Sequence, residues 1–467
     1  MEKAFELFTP FLQPKIWKDL TPLLSIKIVL LLLSHKFILN LSVMGVNKLA
    51  QTVVSTTKPL HHKSQSTTIV SNLSPMQKGL VVVGIIISLI LLFAIVHSSN
   101  WTQGSLFLIG LLLGATLLYA RFGFTSAFRR LVSVGNVQGL QAHMLMFAVS
   151  TTLFAIILST GFSFTGIAPK GYVSPVGVSV IFGAFLFGIG MQLGNGCASG
   201  TLYSLGGGSS SMILTLIAFI AGSTLGAYHL PFWNNTPTLP AISLAETTGL
   251  GYFGAWLLQM VVFIAIYWVT VKIAKKKNPP MMKPLPTTTG WKKVLRGSWP
   301  LFTAAIVLAV LNALVLTVRG NPWGITSAFA LWGGKFLNAA GVDVSSWGYF
   351  AGPNGQALKN TVLADSTSVM NFGIILGAFI SASFQGTFKP KKIKLGVAGA
   401  AILGGLLMGY GSRLAFGCNI GAYFSGISSF SLHGWVWAIM AMLGTFAALF
   451  IRPLFGLKVP SSKDTFC

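Results

Sequence analysis

Ten apolar runs, each close to the length that crosses a bilayer, punctuate this chain and restrict it to one class of fold. They lie near 79–97, 104–120, 140–160, 176–194, 211–229, 251–271, 299–318, 366–386, 396–414 and 430–451. A spanning helix needs roughly 20 apolar residues. Inside hydrocarbon every backbone N–H and C=O must be bonded within the protein, so runs of this kind must be helical. The sequence therefore predicts an all-α polytopic membrane protein of about ten transmembrane helices. Only 8% of the residues are charged, against about 25% in soluble domains, too few to solvate a large globular surface. A further apolar segment, 23–45, carries Lys27, His35 and Lys36 and reads as an interfacial helix, an eleventh span or a targeting segment. The polar, Ser/Thr-rich stretch 51–75 reads as a linker.

The net charge of +25 could suggest nucleic acid, but the positive residues sit in short loops between apolar runs, as membrane topology requires. Lys272, Lys275, Lys276, Lys277, Lys283, Lys292, Lys293 and Arg296 follow the sixth run. Lys389, Lys391, Lys392 and Lys394 follow the eighth, Arg452, Lys458 and Lys463 the tenth, and Arg121, Arg129 and Arg130 the second. Counting crossings puts all four groups on one side, the cytoplasmic side by the positive-inside rule. Lys48, Lys58, Lys63 and Lys78 fall there too, whereas Glu246, Asp343 and Asp365 fall outside, the two aspartates in a solvated loop. The expected organisation is an N-terminal extension over 1–78, a first membrane half plus connecting helix over 79–271, a basic cytoplasmic linker over 272–298, a second half over 299–455 and a tail over 456–467. The expected location is the inner or plasma membrane.

The chain also repeats itself. GAFLFGIGMQLGNGCASG at 183–200 aligns with GGLLMGYGSRLAFGCNIG at 404–421, and FGFTSAF at 122–128 aligns with WGITSAF at 323–329. Each half runs in the same order: a span, the TSAF segment, two spans, the Gly-Cys turn and another span. The two halves are offset by five crossings, an odd number, which predicts inverted repeats.

Glycines interrupt the helical pattern where the halves match. Gly194-Asn195-Gly196 and Phe416-Gly417 precede Cys197 and Cys418, and only about ten residues follow before Gly206 or Ser428, too few to span. Broken, re-entrant half-helices are tolerated at membrane depth only where they are buried in protein or line a cavity. Their free N–H groups suit an anion, and paired breaks in inverted halves point to a transport site. The residues expected along the path are Cys197 and Cys418, their neighbours Asn195, Gly196, Gly417 and Asn419, the glycines Gly200 and Gly421 one turn on, and Thr125, Ser126, Thr326 and Ser327 of the TSAF segments. Each has a plainer reading. A free cysteine is often a small buried hydrophobe, and Ser or Thr in a membrane helix often bonds a carbonyl. Arg413 matches Gln192 across the repeat and either attracts an anion or snorkels. His143, His229 and His433 read as core or interfacial histidines, and Trp101, Trp233, Trp291, Trp299 and Trp347 as belt anchors. Cys467 reads as incidental.

GSRLAFGCNIGAYFSGISSFSLHGW at 411–435, GFTSAFR at 123–129 and GNGCASG at 194–200 resemble the YeeE/YedE sulphur-transport family, over roughly 79–455. The resemblance implies inverted halves around a constriction lined by cysteines and import of a sulfur compound, thiosulfate above all, with another small sulfur or selenium species as the variant. Cys197 and Cys418 match that family's Gly-Cys turns. Many members carry a third cysteine just before TSAF, where this chain has Gly123, with Gly324 in the other half.

The sequence lacks a GxxxxGK[ST] motif, HExxH, a nucleophile elbow, CxxC or metal-spaced Cys/His, and an Asp or Glu inside a span. No cofactor, metal or nucleic-acid partner is expected; the expected partners are the sulfur anion, the bilayer and a soluble sulfur-carrier protein. The competing readings are a membrane-embedded sulfur-transfer or redox enzyme using Cys197 and Cys418 covalently, and a scaffold recruiting a soluble sulfur-handling protein. An enzyme needs a base or cation beside the thiol, and neither cysteine has a His or Lys adjacent in sequence.

Overall fold

A computed structural model of the chain describes residues 74–283, 291–351 and 353–466. The segment 23–45 and Cys467 lie outside the described residues. What is described belongs to one unit, Ile69–Cys467.

The helices follow the apolar runs. The first half comprises α1 (Lys78–Ser98), α2 (Trp101–Ala120), a short α3 (Phe124–Val134), α4 (Gln138–Thr160), α5 (Val178–Leu193), a short α6 (Ala198–Gly206) and α7 (Ser211–Asn234). The connecting helix α8 (Gly251–Lys277) and a short α9 (Trp291–Arg296) lead into the second half. That half has α10 (Leu301–Arg319), α11 (Thr326–Ala339), a short α12 (Pro353–Lys359), α13 (Ser366–Gln385), α14 (Leu395–Leu414), a π-helix over Asn419–Ser425 continued by the single turn α15 (Gly426–Ser428), and α16 (Leu432–Ile451). Ten helices, counting α2 with α3 and α5 with α6 as broken spans, are long and apolar enough to cross a membrane among the described residues. They coincide with the ten runs read from the sequence, and the chain is a multi-pass integral membrane protein.

Local chemistry sets the helix ends. The Asn100 side chain accepts from the Gln103 amide at 3.0 Å and caps α2. Asp365 accepts from the Ser368 amide at 2.7 Å and its hydroxyl at 2.6 Å and caps α13. The expectation that Asp365 is merely a solvated loop residue is therefore corrected: the orphan N–H groups of a helix start need an acceptor, and Asp365 is placed to supply it. Asp343 is exposed, as expected, and folds back on Ser345.

Helix packing repeats across the halves. The most extensive pairings are α7 on α14, α2 on α13, α5 on α16 and α5 on α14, followed by α4 on α10. Exchanging each helix for its counterpart in the other half turns α7–α14 into α16–α5, turns α2–α13 into α10–α4, and leaves α5–α14 unchanged. Lipid chains are as apolar as Leu, so helices associate in a bilayer through close packing rather than through hydrophobic burial. The glycine-rich runs of α5 and α14 meet that requirement at the centre. By contrast α1 and α8 lie at the periphery, with Phe93, Phe253 and Trp268 exposed to their surroundings.

Loops that the charge pattern assigns to one side meet each other. Outside, Val176–Gly177 pairs antiparallel with Thr238–Leu239, and Ser243 bridges Ser431. On the lysine-rich side, Met281 bridges Phe466, and the Gln77 amide donates to the Ser383 carbonyl at 3.0 Å.

Candidate functional site

The two Gly-Cys turns have the same backbone form. Asn195 and Phe416, at matching positions, are both left-handed, with φ of 57° and 54°. Cys197 (φ −83°, ψ −169°) and Cys418 (φ −111°, ψ −166°) are both extended, and a short helix starts at the next residue of each. A non-glycine residue in the left-handed region is uncommon, so finding it at both matched sites marks a preserved turn. Gly417, at φ 150°, would put a Cβ 2.7 Å from the Ala422 amide nitrogen, and only glycine fits there. The short helices differ in winding. That of the first half is α-helical; that of the second is a π-helix, a form that often marks functional sites.

Both cysteines are buried, free and part of one continuous core. The Cys197 sulfur lies 3.3 Å from the Ser199 hydroxyl, and the Cys418 sulfur accepts from the Ile420 amide at 3.4 Å. The Thr125 hydroxyl is buried and faces the Cys197 thiol, a weak partner at most, and has no other hydrogen bond. Asn419, next to Cys418, is fully buried, and neither its amide oxygen nor its amide nitrogen has a partner. Native proteins pair nearly all such groups; Thr125 and Asn419 are among the buried side chains left with unpartnered polar atoms, as are Arg413, Ser429 and Trp437.

The glycines one turn beyond the cysteines border open space. A Cβ on buried Gly421 would meet nothing within 4 Å, and one on Gly200 would meet only the Cys197 sulfur, at 3.5 Å. Gly196 and Gly417 instead face the first turns of their own helices. Ser126 donates to the Gly123 carbonyl at 3.0 Å and Ser327 to Thr367 at 3.2 Å. Ser126 thus makes the carbonyl bond named above, whereas Ser327 bonds another hydroxyl.

The four motifs converge. In the first half, Gln192 Nε2 donates to the Thr125 carbonyl at 3.1 Å, tying the TSAF helix α3 to the span that ends in Cys197. In the second, Arg413 Nη2 donates to the Thr326 hydroxyl at 2.6 Å, making the same tie with the residue that matches Gln192. The halves join at the Tyr423 ring, whose centroid is 5.6 Å from Phe128 and 6.3 Å from Phe124 of α3. Asn312 accepts from the Trp323 amide at 2.8 Å, and Ser425 donates to the Trp323 carbonyl at 2.8 Å, satisfying the backbone at the break before α11.

Guanidinium groups flank this assembly, with Arg129 and buried Arg452 together at the end near Gln192, where Arg452 donates to the Gln192 carbonyl. Arg129 Nη1 donates to Gln192 Oε1 at 3.2 Å and Asn195 Oδ1 at 3.3 Å beside the Cys197 turn. Arg413 is buried near the Cys418 turn, bonded to Thr326 and to the Tyr349 hydroxyl at 2.7 Å, with Nε unpartnered. It does not snorkel. The Tyr172 hydroxyl donates to the Phe416 carbonyl of the same turn; desolvation holds this phenol above its ordinary pKa, so it stays a donor. Arg129, Tyr172 and Tyr349 are absent from the residues proposed from the sequence. Arg129 adjoins the TSAF motif and could have been found; Tyr172 and Tyr349 come from loops with no repeat signal. Among the described residues, no group of His, Cys, Asp and Glu could hold a metal ion.

Residues 119–447 match the sulphur transport family. The chain is 34% identical to the probable transporter YedE of Escherichia coli over 168 residues, 35% of this chain and 41% of that protein. It is 27% identical to the thiosulfate transporter TsuA of Escherichia coli over 361 residues, 74% of this chain and 94% of that one. The thiosulfate transporter TsuA of Spirochaeta thermophila is also 27% identical, over 74% of this chain and 97% of its own length. The aligned part thus spans under half of the YedE relative but nearly all of the two TsuA proteins. With the matched region extending from the end of α2 into α16 and holding both TSAF segments and both Gly-Cys turns, the chain belongs to the sulphur transport family.

Proposed function

We propose that this protein takes up thiosulfate or a closely related sulfur anion across the membrane, along a path that passes Cys418 and then Cys197. The observation that carries this reading is the matched pair Gly200 and Gly421, which border open space inside a buried core one helical turn from the two thiols. Thr125 and Asn419 have buried, unpartnered polar atoms beside those same thiols. An oxyanion needs donors, and a terminal sulfur favours a polarizable neighbour; the amide of Asn419, the Thr125 hydroxyl and the thiols supply both.

In this reading the halves are inverted, as the five-crossing offset and the exchange-related helix pairs support. Cys418 then stands toward the outer side and Cys197 toward the cytoplasm, as successive weak contacts. Serial sites that bind firmly enough to admit an ion and loosely enough to release it are what conduction requires. Arg413 at one end, and Arg129 with Arg452 beside it at the other, supply the positive charge that draws the anion in and receives it. A covalent sulfur-transfer role is less well served. The thiols bond to Ser199 and to a backbone amide, and neither has a base among its hydrogen-bond partners.

The test is uptake of doubly labelled thiosulfate by proteoliposomes, with sulfate, sulfite and selenite as competitors. Intact thiosulfate should accumulate inside. Appearance of cleaved products, or uptake equal to protein-free vesicles, would refute the proposal.

A further inference from the structure

A cationic pocket lies where α7 and α14 begin. The loop after α6 and the loop before α14 enclose a pocket of about 370 Å³ on the lysine-rich side. Lys389, Lys391, Lys392 and Lys394 line one wall, and the Ser209–Ser211 run lines the other. Its lining contains no Asp or Glu. Among the described residues these four ammonium groups have no hydrogen-bond or ion-pair partner. Four like charges within six residues repel one another, and a stable fold gathers them only where an anion or solvent offsets the repulsion.

The walls are built rather than incidental. The Lys391 amide donates to the Ser210 hydroxyl at 3.1 Å, pinning the lysine loop to the serine loop. Gly208 is left-handed at φ 88°, and a Cβ there would lie 3.1 Å from the Lys389 nitrogen and 3.0 Å from the Phe388 ring. Two long helices, α7 and α14, begin at the pocket, adding the positive ends of their dipoles to the lysines.

The surroundings identify the kind of anion. Leu395, directly after the last lysine, is 89% exposed, and Ile402, Leu403 and Leu406 continue an exposed apolar row down α14. Ile213 and Ile217 do the same on α7. A cationic pocket at the membrane surface with apolar rows running from it into the bilayer matches an acidic phospholipid, phosphate above and acyl chains below; a free oxyanion would use only the upper part. We infer that this pocket binds the headgroup of an anionic phospholipid of the inner leaflet.

The test is native mass spectrometry of the purified full-length chain with phosphatidylglycerol or phosphatidylcholine added. The fourfold variant Lys389→Gln/Lys391→Gln/Lys392→Gln/Lys394→Gln is compared with Lys275→Gln/Lys276→Gln, which removes exposed lysines from the end of α8, outside the pocket. Bound phosphatidylglycerol should fall at least tenfold in the fourfold variant only, with phosphatidylcholine unchanged and the gel-filtration profile preserved. Equal losses in both variants would mean general surface charge and overturn the assignment, as would retention of the lipid by the fourfold variant. Displacement of the lipid by inorganic phosphate at matched concentration would make the pocket a soluble-oxyanion site and overturn the lipid assignment too.

Discussion

Gly183 packs against the backbone of Gly411: a Cβ on either glycine would fall 2.4–2.7 Å from the other's carbonyl oxygen. Their counterparts in the opposite halves, Gly404 and Gly190, make the same contact, at 2.7 Å in both directions. Position 183 matches 404 and position 190 matches 411, so one contact becomes the other when the halves are exchanged. That is how a pseudo-two-fold axis between α5 and α14 would act, and it sets the distance between the spans that carry the two cysteines.

Replacing Gly183 or Gly411 by Val should therefore destabilise the protein, because the obstructing atom is backbone and cannot swing aside. A cost of about 1–3 kcal/mol is expected for overpacking, read as a lowered unfolding temperature in detergent. Gly79, where a Cβ meets nothing within 4 Å, is the control and should tolerate Val with little change.

Gly421→Ala should leave stability nearly unchanged, because a Cβ there enters open space, but should slow uptake by narrowing the path. Thermal unfolding and thiosulfate uptake measured on the same preparation check this. A stable variant with undiminished transport would remove Gly421 from the path.

The cysteines should matter for transport far more than for folding. Cys197→Ala and Cys418→Ala each remove one weak contact worth about 1 kcal/mol, roughly a fivefold effect, and the double variant should be lower than either. Initial uptake rates at matched membrane expression decide it. A double variant that transports like the parent would reduce both thiols to packing residues.

Arg413→Gln should weaken substrate capture more than turnover, raising the half-saturating thiosulfate concentration about tenfold or more, as loss of a charged hydrogen-bonding group implies. Arg413→Lys should recover only part of this, since an ammonium cannot hold Thr326 and Tyr349 with one rigid fork. A turnover defect at unchanged half-saturation would make Arg413 a structural tie only.

A cysteine introduced at exposed Lys283 should react with a membrane-impermeant maleimide only after the cells are opened. Labelling in sealed cells would reverse the orientation read from the lysines.

Much of this molecule was legible in the sequence because the bilayer leaves few choices. Apolar runs of spanning length must be helices, and the lysine distribution gives them a direction; ten of ten runs reappear as helices. The repeat exposed both Gly-Cys turns, since a sharp break followed by a short helix draws on glycine beside its left-handed residue and leaves a mark in the letters. The same letters did not separate Gly200 and Gly421, which border space, from Gly196 and Gly417, which face backbone. Nor did they tell the free Thr125 hydroxyl from the bonded Ser126 one. Those distinctions depend on which atoms from distant helices arrive nearby. Tyr349 shows this most clearly. It sits in an outer segment between α11 and α13 that has no counterpart in the three-residue link between α3 and α4, and only the folded chain brings its hydroxyl to Arg413, 64 residues away. Local rules and the membrane thus determined the elements and the breaks. Tertiary packing decided which polar groups were satisfied and which were left unpartnered, because satisfaction is a property of neighbours in space.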